Sequence, residues 1–320
     1  METNNRSKEP LWIIAGPTAS GKSGTAVELA RLIGGEVISG DSMQVYRGMD
    51  IGTAKITPEE MKGVPHHLID VVEPWEPWSV ALFTRKAEEA IGEIRARGHV
   101  PIVAGGTGFY LHALAYKAEF DEEETGGAVR DELLEIARRE GSEALWEELR
   151  RVDPESAESI HPNNVKRVAR ALEYYRQNAE PISRHNARLH EKESPYRLHF
   201  FAISLPRAEM YRVIEERVDG MIRAGLVEEV RSLLENGCRR GMVSMQGLGY
   251  KEIIDYLEGQ KTLEEAVQAI KLGTRHFAKR QLTWLRRENL TWVERGPEDT
   301  ALTLAGRMLR MVEEEERTEG

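Results

Sequence analysis

Apolar positions along this chain recur with two different periods, and the switches between them mark out a series of strands and helices. Leu11-Trp12-Ile13-Ile14-Ala15 is a continuous apolar run of strand length. After a glycine-bearing stretch, Ala26, Leu29, Ala30 and Ile33 fall at i, i+3, i+4 and i+7. This spacing predicts a helix with one apolar face, stopped by Gly34-Gly35. Glu36-Val37-Ile38-Ser39 predicts a second strand, and His66 to Val72 a third with a polar start. Ser79 to Arg97 predicts a helix, apolar at Val80, Phe83, Ala87, Ala90, Ile91 and Ile94, and Val100 to Ala104 a fourth strand. Alternation of this kind implies an α/β fold, a parallel sheet flanked by helices.

The pattern changes near Glu119. From there to Gln177 the periodicity is helical and no strand is convincing, which predicts an all-helical insertion over 119–197. The α/β domain is then discontinuous, made of 1–118 and 198–320. His199 to Leu205 returns to strand, Leu290 to Val293 predicts a last one, and the C-terminal stretch is a charged helix. Thr262 to Glu265 has capping-box spacing and opens a long helix. Leu263, Ala266, Val267, Ile270 and Phe277 form its apolar side, while Lys271, Arg275 and Lys279 recur on another face.

Between the first strand and its helix lies Gly16-Pro17-Thr18-Ala19-Ser20-Gly21-Lys22-Ser23, which satisfies G-x-x-x-x-G-K-[ST] in the strand–loop–helix context that the motif requires. Glycines there let backbone N–H groups converge on a phosphate oxyanion, and the helix N-terminus adds partial positive charge. Lys22 would neutralise terminal phosphate oxygens and Ser23 would ligate Mg2+. A second glycine-rich turn, Gly105 to Tyr110, also precedes a helix, with Thr107 between glycines. Asp41 lies two residues past the second strand, at the end of a sheet where open α/β folds place ligands. On spacing alone these residues leave kinase, NTPase, nucleotide switch and diphosphate transferase open.

Charge and composition narrow the choice. The net charge of −10 over 320 residues argues against a protein that binds nucleic acid with its whole surface, but leaves room for a local basic track. Glu119 to Ile160, including the run Asp121 to Glu124, is acidic. Lys166, Arg167, Arg170, Arg176, Arg184, Arg188, Lys192 and Arg197 make the following stretch basic. No acid falls between Lys271 and Arg287, where Phe277 and Trp284 are interleaved with the cations, a composition suited to a nucleic-acid backbone. Cys238 is the only cysteine, so intramolecular disulfides and cysteine-clustered zinc are excluded. His66-His67 lacks a further ligand at zinc spacing and reads as structural. No apolar run approaches the about 20 residues that cross a bilayer, so the expectation is a cytoplasmic protein with no membrane partner.

Five blocks then occur together and in order: Gly16 to Ser23, Asp41 to Lys55 (DSMQVYRGMDIGTAK), Gly105 to Tyr110 (GGTGFY), Lys166 to Glu173 (KRVARALE) and Met245 to Glu252 (MQGLGYKE). In this the chain resembles the tRNA dimethylallyltransferases, in their bacterial form because the cysteine count leaves no zinc finger. Small departures are Ile56 in place of proline, Ala81 in place of aspartate, and the acidic run at the entry to the insertion. The resemblance implies a P-loop NTPase-like core and transfer of a dimethylallyl group from its diphosphate to N6 of adenosine 37 in the anticodon loop of tRNA. It implies that Asp41, Thr107 and Arg217 are catalytic, with Asp41 the base. It assigns tRNA contacts to Asp41, Ser42, Met43, Gln44, Thr107, Arg130, Lys166, Arg167, Val168, Ala169, Arg170, Gln246, Gly247, Leu248, Gly249, Tyr250 and Lys251. A monomer is expected. The nearest rival uses the same donor with free AMP, ADP or ATP as acceptor, for which a helical insertion and a basic helix are unnecessary. A metabolite kinase and a non-enzymatic RNA-binding switch are further rivals.

Overall fold

The structure, a computed structural model, describes residues 8–117, 127–191 and 193–318. Asp121 to Glu124 and Lys192 lie outside the described residues. Contacts divide the chain into two units, Met1–Lys117 with Pro195–Gly320 and Ala118–Ser194.

The first unit begins with β1 (Pro10–Ala15), α1 (Lys22–Ile33), β2 (Gly35–Ser39), a short α2 (Pro58–Met61), β3 (His66–His67), α3 (Val80–Ala96), β4 (Val100–Gly105) and α4 (Gly108–Ala115). The second unit holds α5 (Ala128–Glu140), α6 (Ser142–Val152), α7 (Pro154–Ser159), α8 (Val165–Asn178) and α9 (Ile182–Glu191). The first unit resumes with β5 (Arg197–Ser204), α10 (Arg207–Arg223), α11 (Leu226–Glu235), a 3-10 turn at Ser244–Gln246, α12 (Tyr250–Leu257), α13 (Leu263–Leu285), β6 (Thr291–Glu294) and α14 (Ala301–Thr318).

All the strands pair in parallel, in the order β3-β2-β4-β1-β5-β6. Successive side chains of a strand point to opposite faces, and the continuous apolar run of β1 serves both. Leu11, Ile13 and Ala15 pack with Phe83, Ile91, Leu111 and Leu285 of α3, α4 and α13. Trp12 and Ile14 pack on the other face with Leu29 of α1 and with Leu304 and Met308 of α14. The second unit has its own core, in which Leu133, Leu145, Leu149, Val168 and Leu172 meet. Its charges pair between helices: Arg176 reaches Glu132 at 3.3 Å and Glu148 at 3.0 Å. Part of the basic stretch therefore neutralises part of the acidic one.

The third strand is shorter than its apolar pattern predicts. Leu68 (φ 60°) and Asp70 (φ 55°) take the left-handed conformation, which ends the extended chain after His67. Val72 retains only an isolated bridge to Tyr46. Lys55 accounts for the bend, donating to Asp70 Oδ1 at 2.6 Å, to Asp50 Oδ1 at 2.5 Å and to the Tyr46 carbonyl at 2.8 Å.

Glu36, at 2% exposure, anchors this edge of the sheet. Arg97 donates to both its oxygens at 3.0 and 2.7 Å, while His99 Nδ1 and His67 Nε2 each lie 2.6 Å away. Hydrogen bonds from Arg97, then from the histidines, hold the carboxyl down to about 2 against the opposing effect of burial. A depressed carboxyl contributes stability that is complete above its unfolded value and is lost as pH falls through the folded one. Glu36→Gln should therefore destabilise the protein at pH 7 by about 3 kcal/mol, the cost of breaking a buried pair. The gap to the parent should close between pH 4.5 and 2. Urea unfolding at a series of pH values measures it, and an unchanged midpoint at pH 7 would refute the anchoring role.

Candidate active site

The turn from β1 into α1 must reverse the chain without satisfying its own N–H groups. Ala19 (φ 66°) and Gly21 (φ 90°) both adopt the left-handed conformation that makes this possible. Glycine does so freely, whereas alanine pays about 1 kcal/mol. Alternating handedness curls successive N–H groups toward one point, the arrangement that binds anions. Ser20 N–H turns back to the Pro17 carbonyl at 3.2 Å, and those of Ala19, Gly21, Lys22 and Ser23 have no acceptor among the described residues. Gly16, Pro17 and Ser20 are buried and form the back of the turn.

Lys22 donates to the Pro17 carbonyl at 3.3 Å. Burial first, and then the neighbouring Arg217 guanidinium, bring its ammonium down to about 8, while Asp41 opposes them. Arg217, from α10, reaches Thr18 Oγ1 at 3.4 Å, and burial lowers its pKa too. Past β2, Asp41 Oδ1 accepts the Met43 N–H at 2.8 Å, fixing an Asx turn. Ser42 N–H donates to Thr107 Oγ1 at 3.2 Å, and the Thr107 hydroxyl lies 3.4 Å from Ser42 Oγ. The loops after β2 and β4 are tied together in this way.

These groups line one cavity of about 620 Å³, wholly within the first unit. Thr18, Ala19, Gly21, Lys22 and Ser23 form its phosphate-loop side, and Asp41, Thr107 and Arg217 stand around it. Ser42, Met43 and Gln44 line another wall, with Gln246, Gly247, Leu248, Tyr250 and Lys251. Several of these also have internal work. Gln44 Nε2 donates to the carbonyls of Thr53 and Ala54 at 3.4 and 3.3 Å, and Gln246 donates to the Arg240 carbonyl. Tyr250 is 1% exposed and Gly249 is buried.

Two residues that hold the site escape local sequence reasoning. Glu229, on α11, accepts the N–H groups of Asp50, Ile51 and Gly52 at 2.9, 2.7 and 3.1 Å and the Tyr250 hydroxyl at 2.7 Å. It fixes the loop that carries Gly52, Thr53 and Ala54 into the cavity wall. Gln281, on α13, bonds both glycine loops. Its helix lines the cavity with Ile270, Thr274, Phe277 and Gln281, a 4-3-4 spacing that marks one face of a helix.

The same helix corrects the expectation of an open cationic ladder. Lys271 pairs with Asp219 at 2.7 Å and is 14% exposed, and Arg275 pairs with Glu215, both acids lying on α10. Lys279 is exposed, and its ammonium has no partner among the described residues. In the second unit, Val168 and Ala169 are fully buried core residues and expose nothing to an RNA. Arg130 and Arg170 converge on the buried Glu173, at 2.5 and 3.1 Å, while Lys166 and Arg167 are exposed. His66 Nδ1 meets the Val64 carbonyl at 2.8 Å. No group of three or more His, Cys, Asp or Glu among the described residues could hold a metal, and no described helix is long and apolar enough to cross a membrane.

A glycine-rich loop between strand and helix at the C-terminal end of a parallel sheet, with two cations and a carboxylate around one cavity, is the architecture of a P-loop-like α/β enzyme. Family models described as IPP transferase and isopentenyl transferase match residues 44–288 and 9–71. The chain is 50% identical to the tRNA dimethylallyltransferase of Lachnoclostridium phytofermentans over 309 residues, covering 96% of this chain and 99% of the relative. It is similar to the crystal structure of the full-length tRNA isopentenylpyrophosphate transferase of Bacillus halodurans, with a TM-score of 0.72, 43% identity and coverage of 98% and 99%. A eukaryotic dimethylallyltransferase, crystallised acting on tRNA, matches with a TM-score of 0.79 and 26% identity over 97% of this chain and 80% of that one. The chain belongs to the tRNA dimethylallyltransferase family.

Two outcomes follow from this geometry. The charged form of Lys22 exists below pH 8 in the free protein, so diphosphate affinity should fall as pH rises through that value, with proton uptake on binding near pH 8. Calorimetry in buffers of different ionisation enthalpy reads the uptake, and its persistence in Lys22→Ala would assign it elsewhere. On α13, Lys279→Ala should reduce the salt slope of RNA binding by about 0.7 to 0.9 log units if it meets a phosphate. Lys271→Ala and Arg275→Ala should mainly lower the melting temperature. A larger slope change in the latter two would show that their α10 pairs open for RNA.

Proposed function

We propose that this chain transfers a dimethylallyl group from dimethylallyl diphosphate to N6 of adenosine 37 in the anticodon loop of tRNA, releasing diphosphate. The observation that carries the reading is the convergence of Lys22, Arg217, Thr107 and Asp41 on one cavity beside the open N–H groups of the phosphate loop. Family membership supplies the donor and the acceptor. The reading takes the enzyme as a monomer, acting in the cytoplasm where tRNA resides.

The exocyclic amine attacks C1 of the dimethylallyl group. The C–N bond forms as the C–O bond to diphosphate breaks. Negative charge accumulates on the leaving oxygens, where Lys22, Arg217 and the loop N–H groups stabilise it. Asp41 takes the proton that the amine must lose, a step in which a positioned base gains about 10²- to 10⁴-fold. Thr107 keeps the Asp41–Ser42 loop in register through Ser42. Mg2+ fits this donor set, because the Ser23 hydroxyl stands exposed at the start of α1 without a protein partner among the described residues. Its other ligands would be diphosphate oxygens and water, and when bound it would neutralise leaving-group charge. The target adenine must leave its stack to enter the cavity, which costs a few kcal/mol and calls for RNA contacts elsewhere. Lys166, Arg167, Arg130 and Arg170 of the second unit and Lys279 of α13 are the groups we assign to them.

Radiolabelled dimethylallyl diphosphate offered with tRNA or with AMP tests the acceptor. Label should enter tRNA alone, and transfer to AMP instead would favour the free-nucleotide reading. Asp41→Asn should slow single turnover by at least about 10²-fold with tRNA affinity nearly unchanged. A normal rate in that variant would remove Asp41 from the chemistry.

A further inference from the structure

The row of phosphate-loop N–H groups stops abruptly at Thr18. Those of Ser23, Lys22, Gly21 and Ala19 are open, whereas that of Thr18 donates to Gln281 Oε1 at 2.8 Å, across 263 positions of sequence. The other end of the same carboxamide donates to the Gly106 carbonyl at 2.9 Å. Gln281 is 7% exposed and lines the cavity. It presses on the second glycine turn so closely that a Cβ at Gly106 would sit 2.3 Å from Nε2. The Thr18 hydroxyl is taken as well, by Arg217 at 3.4 Å.

We propose that Gln281 sets the length of the phosphate chain the loop accepts, sealing its far end so that a diphosphate is bound and a triphosphate is rejected. The inference rests on the phosphate-loop reading above and adds the reason that a motif shared with nucleoside triphosphate enzymes serves a diphosphate here. A third phosphate, running past the open N–H groups, would find the Thr18 N–H and hydroxyl already engaged and would face Gln281 Oε1, a carbonyl oxygen that repels an anion. The carboxamide cannot swing aside cheaply, because it would leave the Thr18 N–H and the Gly106 carbonyl unpaired in a buried place. Its helix is fixed on either side by buried Ala278, packed with Ala19, and by Leu285 in the sheet core.

Titration of the whole protein with inorganic diphosphate and inorganic triphosphate, in the presence of Mg2+ and without tRNA, tests this directly. The wild-type protein should prefer diphosphate by at least about tenfold, the scale of one charge-assisted hydrogen bond. Gln281→Ala should bring the two affinities within about threefold and make ATP a competitive inhibitor against dimethylallyl diphosphate. Gln281→Glu keeps an acceptor for Thr18, so it should bind both anions more weakly while remaining diphosphate-selective. Gln281→Asn, too short to span the two loops, should behave like the alanine variant and provides the same reading should that one fail to fold. Equal affinities in the wild type, or an unchanged preference in both shortened variants, would overturn the proposal. A wild-type protein that binds neither anion would instead sink the phosphate-loop reading beneath it.

Discussion

Free backbone N–H groups are the constraint to which the rest of this fold answers. A helix start leaves its first N–H groups without partners inside the helix, and they need solvent, a side chain or a ligand to meet them. Here four are gathered beyond β1, and two left-handed residues, one of them an alanine, hold them there. The support comes from distant parts of the chain. Ala278 packs against Ala19, Gln281 fixes Thr18, and Arg295 leans on the Ser20 carbonyl at 3.5 Å. β1 occupies an inner position of the sheet between β4 and β5, so the strand beneath the loop cannot shift without disturbing both neighbours. The loop is thus held in shape by tertiary structure, since the local sequence alone would not bear the strain.

The cavity wall formed by Ser42 to Gln44 and Gly52 to Ala54 is built on the opposite principle. Several polar groups of its loops are satisfied internally. Glu229 gathers three successive N–H groups into one carboxylate, and Gln44 clips the same loop from the other side. A surface paired in this way offers shape more than free hydrogen-bonding capacity. The Asp41–Thr107 junction is where the two walls meet, which places a carboxylate beside the cations without an ion pair that would neutralise it.

Much of this was legible in the sequence, and the failures share a cause. β1, the phosphate loop and α1 could be read because a period, a motif and a stop signal agree within a short stretch. The capping box at Thr262 was equally local, and the helix starts there. His66 to Val72 misled because apolar residues suggested a strand that Leu68 and Asp70 interrupt, drawn into a bend by Lys55. Lys271 and Arg275 looked like open cations because a charge count along one helix does not see Asp219 and Glu215 on another. Val168 and Ala169 belong to a block that marks the family, yet their burial shows that the block encodes packing as well as contact. Gln281 and Glu229 are single polar residues in helices, and nothing in their surroundings announces partners some 180 to 260 positions away.

The interruption of the α/β unit between Lys117 and Pro195 bears on how the protein is made. Loop closure grows only logarithmically with length, so the inserted helices cost the finished fold little. What they alter is timing. On the ribosome, β1 to β4 can assemble early, but β1 then forms a raw edge until residues 197–202 emerge to pair with it. A strand edge of that kind invites association with other chains. The second unit, with a core of its own, can fold during the wait and keep the nascent chain partly occupied with native contacts. The carboxamide that bonds both glycine loops arrives later still, with α13. A chain shortened before α13 therefore carries the loop sequence without the residue that ties it to the second glycine turn.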